Sequence, residues 1–236
     1  LRAWKEIGAG NDHIVARLPD GAKIRTLDGS AVAPVVALGK RGALRPRAPV
    51  SVKEAVLPFG RFHGVDTVLG PEMRSTGEVM GIDATFGKAF FKAELAAGTL
   101  LPTTGTVFLS LADSDKPAGL VVASRLRELG LDIAATRGTA EYLEHFGLVV
   151  DQVVGKISDG HGINAVKLIE SGQIAFVINT PQGRRGRTDG EQIRKAANSH
   201  RVSSVTTVEA ALAAAEGMAE MHGNSISVRP LQSYHS

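Results

Sequence analysis

The second half of the chain shows two alternating patterns of apolar residues. From residue 105 onward, short continuous apolar runs are followed by longer segments in which apolar residues recur every three or four positions. The short runs predict buried strands at residues 106–111, 133–135, 148–154, 174–179 and 202–206. The longer segments predict helices at residues 118–129, 140–146, 164–170, 192–199 and 208–221. This alternation indicates an α/β fold, a five-stranded parallel sheet of flavodoxin size with helices on both faces.

The first 98 residues lack this regular alternation. Residues 1–50 are rich in Ala, Gly, Arg and Pro and show no sustained period, which predicts a disordered segment. Residues 51–98 contain a loosely alternating strand at 52–59 and a helical pattern at 86–97, separated by a polar, turn-rich stretch at 69–81. The sequence therefore predicts a boundary near residue 98, with a domain at 99–236 that folds by itself.

Composition excludes several classes of function. With 43% hydrophobic residues among 236, the chain can bury a core, and it has no cysteine for disulfides or thiolate metal sites. No apolar run is long enough to span a membrane, and residues 1–10 lack the apolar core of a signal peptide, so we expect a cytoplasmic protein. The net charge of +3 is too small to indicate nucleic-acid binding, and the basic stretches at 40–47 and 184–187 are typical of solvated loops.

Polar side chains follow the predicted strands, at the edge where open parallel sheets bind ligands. Ser110 and Lys116 follow the first strand, Thr136 and Thr139 the second, Lys156 the third, and Asn179, Thr180, Arg184 and Arg185 the fourth. The Thr-Arg-Gly-Thr segment at 136–139 leads into a helix, whose free N–H groups and dipole favour an anion. The strand ends together predict a site for a small phosphorylated metabolite.

Each of these residues also has a purely structural interpretation. Thr139 is equally consistent with a helix N-cap, Ser110 with a turn, and Lys116 with a surface lysine at a helix start. Asp113 and Asp115 are expected to cap the helix that follows them. We find no paired carboxylates or metal-ligand spacing among the strand ends, so we predict that the site holds an anion without transforming it.

Residues 51–83 closely resemble the C-terminal part of the large chain of carbamoyl-phosphate synthase, and the run LGPEMRSTGEVMG at 69–81 is a long, specific match. Residues 110–116, 136–139 and 178–185 are similar to that family's methylglyoxal-synthase-like allosteric domain. The resemblance implies that residues 51–98 are the tail of an ATP-grasp carbamoyl-phosphate synthetic domain and that 99–236 are the allosteric domain. Residues 1–50 show no likeness to the family. Because the rest of the ATP-grasp module is absent, we expect residues 51–98 to pack poorly and to expose an apolar patch formed by Val52, Val56, Leu57 and Phe59.

The resemblance also implies what the chain binds. In bacterial members this domain binds the inhibitor UMP and the activator IMP at one site, near a second site for ornithine. The positions that match the nucleotide site are Ser110, Lys116, Thr136, Thr139, Lys156, Asn179 and Thr180, with Arg184 and Arg185 matching an arginine pair. Glu54 and Thr206 match ornithine-contacting positions, while Ser204 stands where some members have a tyrosine that contacts ornithine.

The lost ATP-grasp modules would carry the chemistry of the full enzyme, which serves arginine and pyrimidine biosynthesis. That enzyme would use ATP and Mg and would pair with a glutaminase small chain. By this resemblance the chain is part of an ATP-dependent ligase, but alone it is expected to be inactive, with no catalytic residue and no cofactor.

Two enzymatic alternatives remain open. A stand-alone lyase resembling methylglyoxal synthase would need a carboxylate base beside the phosphate. That family has Gly-Gly-Asp where this chain has Gly183, Arg184 and Arg185, so cations replace the base. The cyclohydrolase domain of purine synthesis shares a similar set of strand-end residues, but the segment at 51–83 argues against it.

Overall fold

A computed structural model describes residues 24–25, 31–32, 49–57, 75–155, 157, 163–180 and 186–234. Two short strands, β1 (Ile24–Arg25) and β2 (Ala31–Val32), pair antiparallel. The rest of residues 1–48 lies outside the described residues, and so does the predicted disorder of that segment. A second antiparallel pair, β3 (Val50–Val56) and β4 (Gly77–Asp83), precedes helix α1 (Phe86–Ala97).

The remaining elements form the predicted α/β domain. In chain order they are β5 (Thr106–Ser110), α2 (Lys116–Glu128), β6 (Asp132–Thr136), α3 (Arg137–His145), β7 (Gln152–Val154), α4 (Ala165–Glu170), β8 (Ile174–Asn179), α5 (Gly186–Ser199), β9 (Ser203–Val205), α6 (Val208–Met221) and a 3-10 turn (Leu231–Tyr234). Strands β5 to β9 are parallel neighbours in the order β7-β6-β5-β8-β9, which confirms the five-stranded parallel sheet. No helix in the described part of the chain is both long and apolar enough to cross a bilayer.

The strand order predicts a ligand crevice at one point of the sheet. Strand β5 lies in the centre, with β6 on one side and β8 on the other, so the chain reverses direction across the sheet at β5. At their carboxyl ends Ser110 of β5 is in register with Asn179 of β8. Open α/β sheets bind ligands outside such a reversal point, because the loops there leave the sheet in opposite directions.

Side chains of the central strand alternate between two buried clusters. Val107 and Leu109 lie in the larger cluster, with residues of α2, α3 and α6. Phe108 points to the other face and lies in a cluster with residues of α4 and α5. Both faces of the sheet are covered, which explains why β5 is continuously apolar rather than alternating with polar residues.

The expectation that residues 51–98 pack poorly is wrong. Val52 is fully buried in the larger cluster, and Phe90 of α1 lies in the same cluster as Met218 of α6. The two helices approach closely because glycines face each other, and a Cβ on Gly217 would lie 3.4 Å from the carbonyl oxygen of Gly87. The helix and strands before residue 98 therefore share one core with the parallel sheet.

Part of the predicted apolar patch is thus buried and part is untested. Val56 and Leu57 are half-buried, and Phe59 lies outside the described residues.

The sequence predicts a polar turn over most of β4, because its glycines and charged residues are uncommon in strands, yet β4 pairs with β3. Gly81 has a packing role, since a Cβ there would overlap the carbonyl oxygen of Ala89 on α1.

An ion pair links the end of β4 to α1. The ammonium of Lys92 lies 2.7 Å from the carboxylate of Asp83, and both side chains are largely shielded from water. Burial raises the pKa of the Asp83 carboxyl, but the hydrogen bond and charge of Lys92, the N–H of Ala84 and the charge of Lys88 outweigh burial. The pKa of Asp83 therefore lies below its ordinary value of 3.8.

We expect Asp83→Asn to lower the free energy of unfolding by about 1.5–3 kcal/mol at neutral pH. A carboxyl whose pKa is lowered by folding stabilises the protein above its unfolded pKa, and this contribution is lost as pH falls through the folded pKa. Urea unfolding at a series of pH values should show the penalty shrinking in acid. Glu78→Gln, which breaks an exposed ion pair with Lys53, is the matched control and should cost less than about 1 kcal/mol. A penalty at Asp83 that stays constant into strong acid would contradict this account.

Candidate functional site

Two threonines hold the loop that follows β5. The hydroxyl of Thr139 accepts a hydrogen bond of 3.0 Å from the N–H of Leu111, and the hydroxyl of Thr180 accepts one of 2.8 Å from the N–H of Ala112. Thr139 belongs to α3 and Thr180 follows β8, so the loop is tied to both neighbouring strands of β5. The N–H of Thr180 also donates to the carbonyl of Ser110 over 2.9 Å. The carboxyl ends of β6, β5 and β8 are therefore joined into one rigid edge.

The Thr-Arg-Gly-Thr segment is not a separate turn. Thr136 ends β6 and is the N-cap residue of α3, so the alternative interpretation of Thr139 as an N-cap is wrong. Thr139 instead lies inside the first turn of the helix, almost fully buried, and accepts a 3.1 Å hydrogen bond from the Thr136 hydroxyl. The α-helix starts three residues earlier than predicted because this polar turn is already helical.

Lys116 is the first residue of α2 and is only 15% exposed. Its ammonium lies 2.6 Å from the carboxylate of Asp113 and 5.9 Å from the centre of the Tyr142 ring. A Cβ on Gly138 would come within 3.7 Å of the same ammonium, so the glycine leaves room beside it. The ammonium is thus placed between the start of α2 and the start of α3.

The acidic residues before α2 do not cap it as predicted. Asp115 holds the N-cap position but makes no capping hydrogen bond with its side chain. Asp113 pairs with Lys116, and this pair compensates for a cation at a helix N-terminus, where the dipole disfavours positive charge.

Sequence reasoning missed a buried arginine next to Asn179. The side-chain N–H of Asn179 donates to the carbonyl of Gly190 over 3.3 Å, and a Cβ on Gly190 would lie 2.9 Å from a guanidinium nitrogen of Arg194. Arg194 is only 2% exposed. A signal was present, because residues 190, 193, 194 and 197 share one helix face and the others there are small or apolar.

The structure brings six of the predicted residues to one edge of the sheet. They are Ser110, Lys116, Thr136, Thr139, Asn179 and Thr180. Lys156, Arg184 and Arg185 lie outside the described residues. Glu54 on β3 and Thr206 after β9 belong to different sheets.

The described edge offers hydroxyls, an amide and one ammonium. Thr139 and Thr180 accept hydrogen bonds from the loop through their oxygens, so each hydroxyl keeps its own proton to donate elsewhere. Within the described ranges, no three side chains of His, Asp or Glu come close enough together to hold a metal ion. Hydroxyl and ammonium donors at the carboxyl ends of parallel strands suit an anionic ligand.

We expect Thr180→Val to lower the free energy of unfolding by about 1–3 kcal/mol, because the buried N–H of Ala112 would lose its acceptor. Urea unfolding measures this cost, and amide hydrogen exchange at Ala112 should accelerate. Thr180→Ser keeps the hydroxyl and should retain most of the stability. Equal costs for the two variants would mean that the methyl group, and not the hydrogen bond, is what matters.

Known proteins resemble this chain in two ways. The family model described as "MGS-like domain" matches residues 119–206, from the first turns of α2 to the residue after β9. The carbamoyl phosphate synthase large chain of Synechocystis is 47% identical over 185 residues, which cover 78% of this chain and 17% of that protein. A Methanopyrus kandleri protein named "Carbamoyl phosphate synthase large chain, C-terminal section" is 49% identical over 187 residues, or 79% of this chain and 34% of that protein.

The chain is homologous to the C-terminal region of carbamoyl phosphate synthase large chains. Its MGS-like domain contains four of the six converging residues, namely Thr136, Thr139, Asn179 and Thr180. The large chain of Streptomyces coelicolor is 45% identical over 228 residues, covering 93% of this chain and 20% of that protein. Residues 51–236 are 79% of this chain, so the Streptomyces alignment extends into residues 1–50, where the sequence predicted no family likeness. The chain spans about a fifth of the length of the Synechocystis and Streptomyces relatives.

Proposed function

We propose that the chain is the allosteric regulatory region of a carbamoyl phosphate synthase large chain and binds a nucleoside monophosphate such as UMP or IMP. The nucleotide phosphate would lie at the carboxyl ends of β6, β5 and β8. Its donors would be the ammonium of Lys116, the hydroxyl of Thr139 and, after turning away from Thr139, the hydroxyl of Thr136. Asn179 and Thr180, on the opposite side of β5, would face the ribose or base.

The observation that carries this proposal is the position of Lys116. Its ammonium is largely shielded from water and lies next to Gly138, where a Cβ would be 3.7 Å away, two residues after Thr136 at the end of β6. A charge-assisted hydrogen bond between an ammonium and a phosphate is stronger in such a partly dry place than on an open surface. Support also comes from the homologues, which are named as large chains of a synthase.

The catalytic functions of the synthase would belong to other parts of the full-length protein. The chain matches only 17–20% of the length of the Synechocystis and Streptomyces large chains. ATP, Mg and the glutaminase small chain are therefore proposed partners of the whole enzyme and not of this region. Ornithine, through Glu54 and Thr206, is proposed as a second ligand of the region, in keeping with a role in arginine and pyrimidine biosynthesis.

Titration calorimetry on the 236-residue chain tests the nucleotide site. UMP, IMP and inorganic phosphate should each give a saturable heat of binding. Uridine should bind far more weakly, because it lacks the charged phosphate. Absence of saturable binding by every phosphorylated ligand at millimolar concentration would overturn the proposed function. Equal affinity for UMP and uridine would show that the base and ribose are bound without a phosphate site.

A further inference from the structure

We propose that Asp113 is an internal competitor of the bound phosphate and sets the affinity of the site through its pairing with Lys116. This inference rests on the proposed function, since it concerns how that site is regulated. The Asp113 carboxylate lies 2.6 Å from the Lys116 ammonium, which is close to the distance expected between that ammonium and a phosphate oxygen.

The two side chains of this pair differ greatly in exposure. Lys116 is 15% exposed, whereas Asp113 is 74% exposed. The carboxylate of Asp113 therefore lies on the solvent side of the pair, and the ammonium of Lys116 lies on the protein side, beside Tyr142 and Gly138. An anion that approaches Lys116 from solvent meets the Asp113 carboxylate first.

Charge explains why the Asp113 carboxylate lies beside Lys116. Lys116 begins α2, where the helix dipole disfavours a cation, and a neighbouring anion offsets that cost. A phosphate of charge near −2 would offset it more strongly, but must first displace Asp113 or share Lys116 with it. In the shared arrangement the carboxylate and the phosphate repel each other across a few ångströms. Either way the negative charge of Asp113 weakens anion binding.

Removing that charge should therefore strengthen the site. We expect Asp113→Asn to tighten the binding of UMP and of inorganic phosphate by about 2- to 10-fold at low salt. The gain should shrink as salt rises from about 10 to about 150 mM, because ions screen the carboxylate from the phosphate. Uridine, which has no charge, should bind the variant and the unmodified chain equally.

Asp132→Asn is the matched control. Asp132 is also exposed and also pairs with a basic residue, Arg127, but it begins β6 at the opposite edge of the sheet. The control makes the same change in net charge and should leave UMP affinity unchanged. Combining Asp113→Asn with Lys116→Ala completes a double-mutant cycle, in which the gain from Asp113→Asn should largely disappear because its partner is gone.

Calorimetry on the four variants and the unmodified chain separates the outcomes. Tighter phosphate binding by Asp113→Asn alone, lost at high salt and in the Lys116→Ala background, supports the competitor role. If the unmodified chain binds UMP and Asp113→Asn binds it no more tightly than Asp132→Asn does, the competitor role is overturned while the proposed function stands. If neither the unmodified chain nor Asp113→Asn binds any phosphorylated ligand, both are overturned.

Discussion

Lys116→Ala should weaken the binding of UMP and IMP by about 10- to 150-fold and leave the weak binding of uridine unchanged. The lost interaction is a charge-assisted hydrogen bond between an ammonium and a phosphate, worth about 1.5–3 kcal/mol, and each 1.4 kcal/mol is tenfold in affinity. Calorimetry with the three ligands measures the change. Because the ammonium opposes the dipole of α2, its removal should not destabilise the fold, which urea unfolding checks.

Lys53→Ala provides the control for this experiment. Lys53 is an exposed lysine on β3 that also forms an ion pair, with Glu78, in the other sheet. This change removes the same charge from the chain and should alter nucleotide affinity by less than about twofold. If both variants lost the same affinity for UMP, Lys116 would act only through the overall positive charge of the protein. A loss for uridine as large as that for UMP would indicate damage to the fold.

Phe90→Ala should lower the free energy of unfolding by about 3–5 kcal/mol, since a large buried ring leaves a cavity that the backbone cannot close. Phe90 lies 1% exposed between α1 and α6, where its ring centre is 5.7 Å from that of Phe86. A Cβ on Gly217 would lie 3.4 Å from the ring, so the helices have no room to shift inward. Urea unfolding of the variant should show one transition at a lower midpoint.

Leu95→Ala on the same helix is the control, because Leu95 is 40% exposed and should cost much less. The comparison also tests whether residues 50–97 and the parallel domain unfold together. If they share a core, Phe90→Ala should accelerate hydrogen exchange in α6 as well as in α1. A variant whose α6 stays protected while α1 unfolds would restore the independent domain at 99–236 that the sequence predicted.

The pattern of apolar residues is sufficient to predict the fold class and the edge of the sheet that carries the site. The run at 106–111 is apolar at consecutive positions, which is what a strand covered on both faces requires, and β5 is such a strand. Strands that alternate with helices must run parallel, and parallel strands end at one edge. Ser110, Thr136 and Asn179 could therefore be assigned to a common edge without knowledge of the strand order.

Which groups meet at that edge depends on the order of the strands in the folded sheet. The order β7-β6-β5-β8-β9 puts Thr139 and Thr180 on opposite sides of one loop, and local sequence carries no record of which strands become neighbours. The pairing of β4 with β3 and the packing of α1 on α6 likewise depend on contacts between residues far apart in the chain. The contact of Asp113 with Lys116 spans three residues and is as local as the capping that was predicted for Asp113, and the loop held by Thr139 and Thr180 decides between the two. Side-chain pairing of this kind follows from three-dimensional position, so it becomes visible only after the chain has folded.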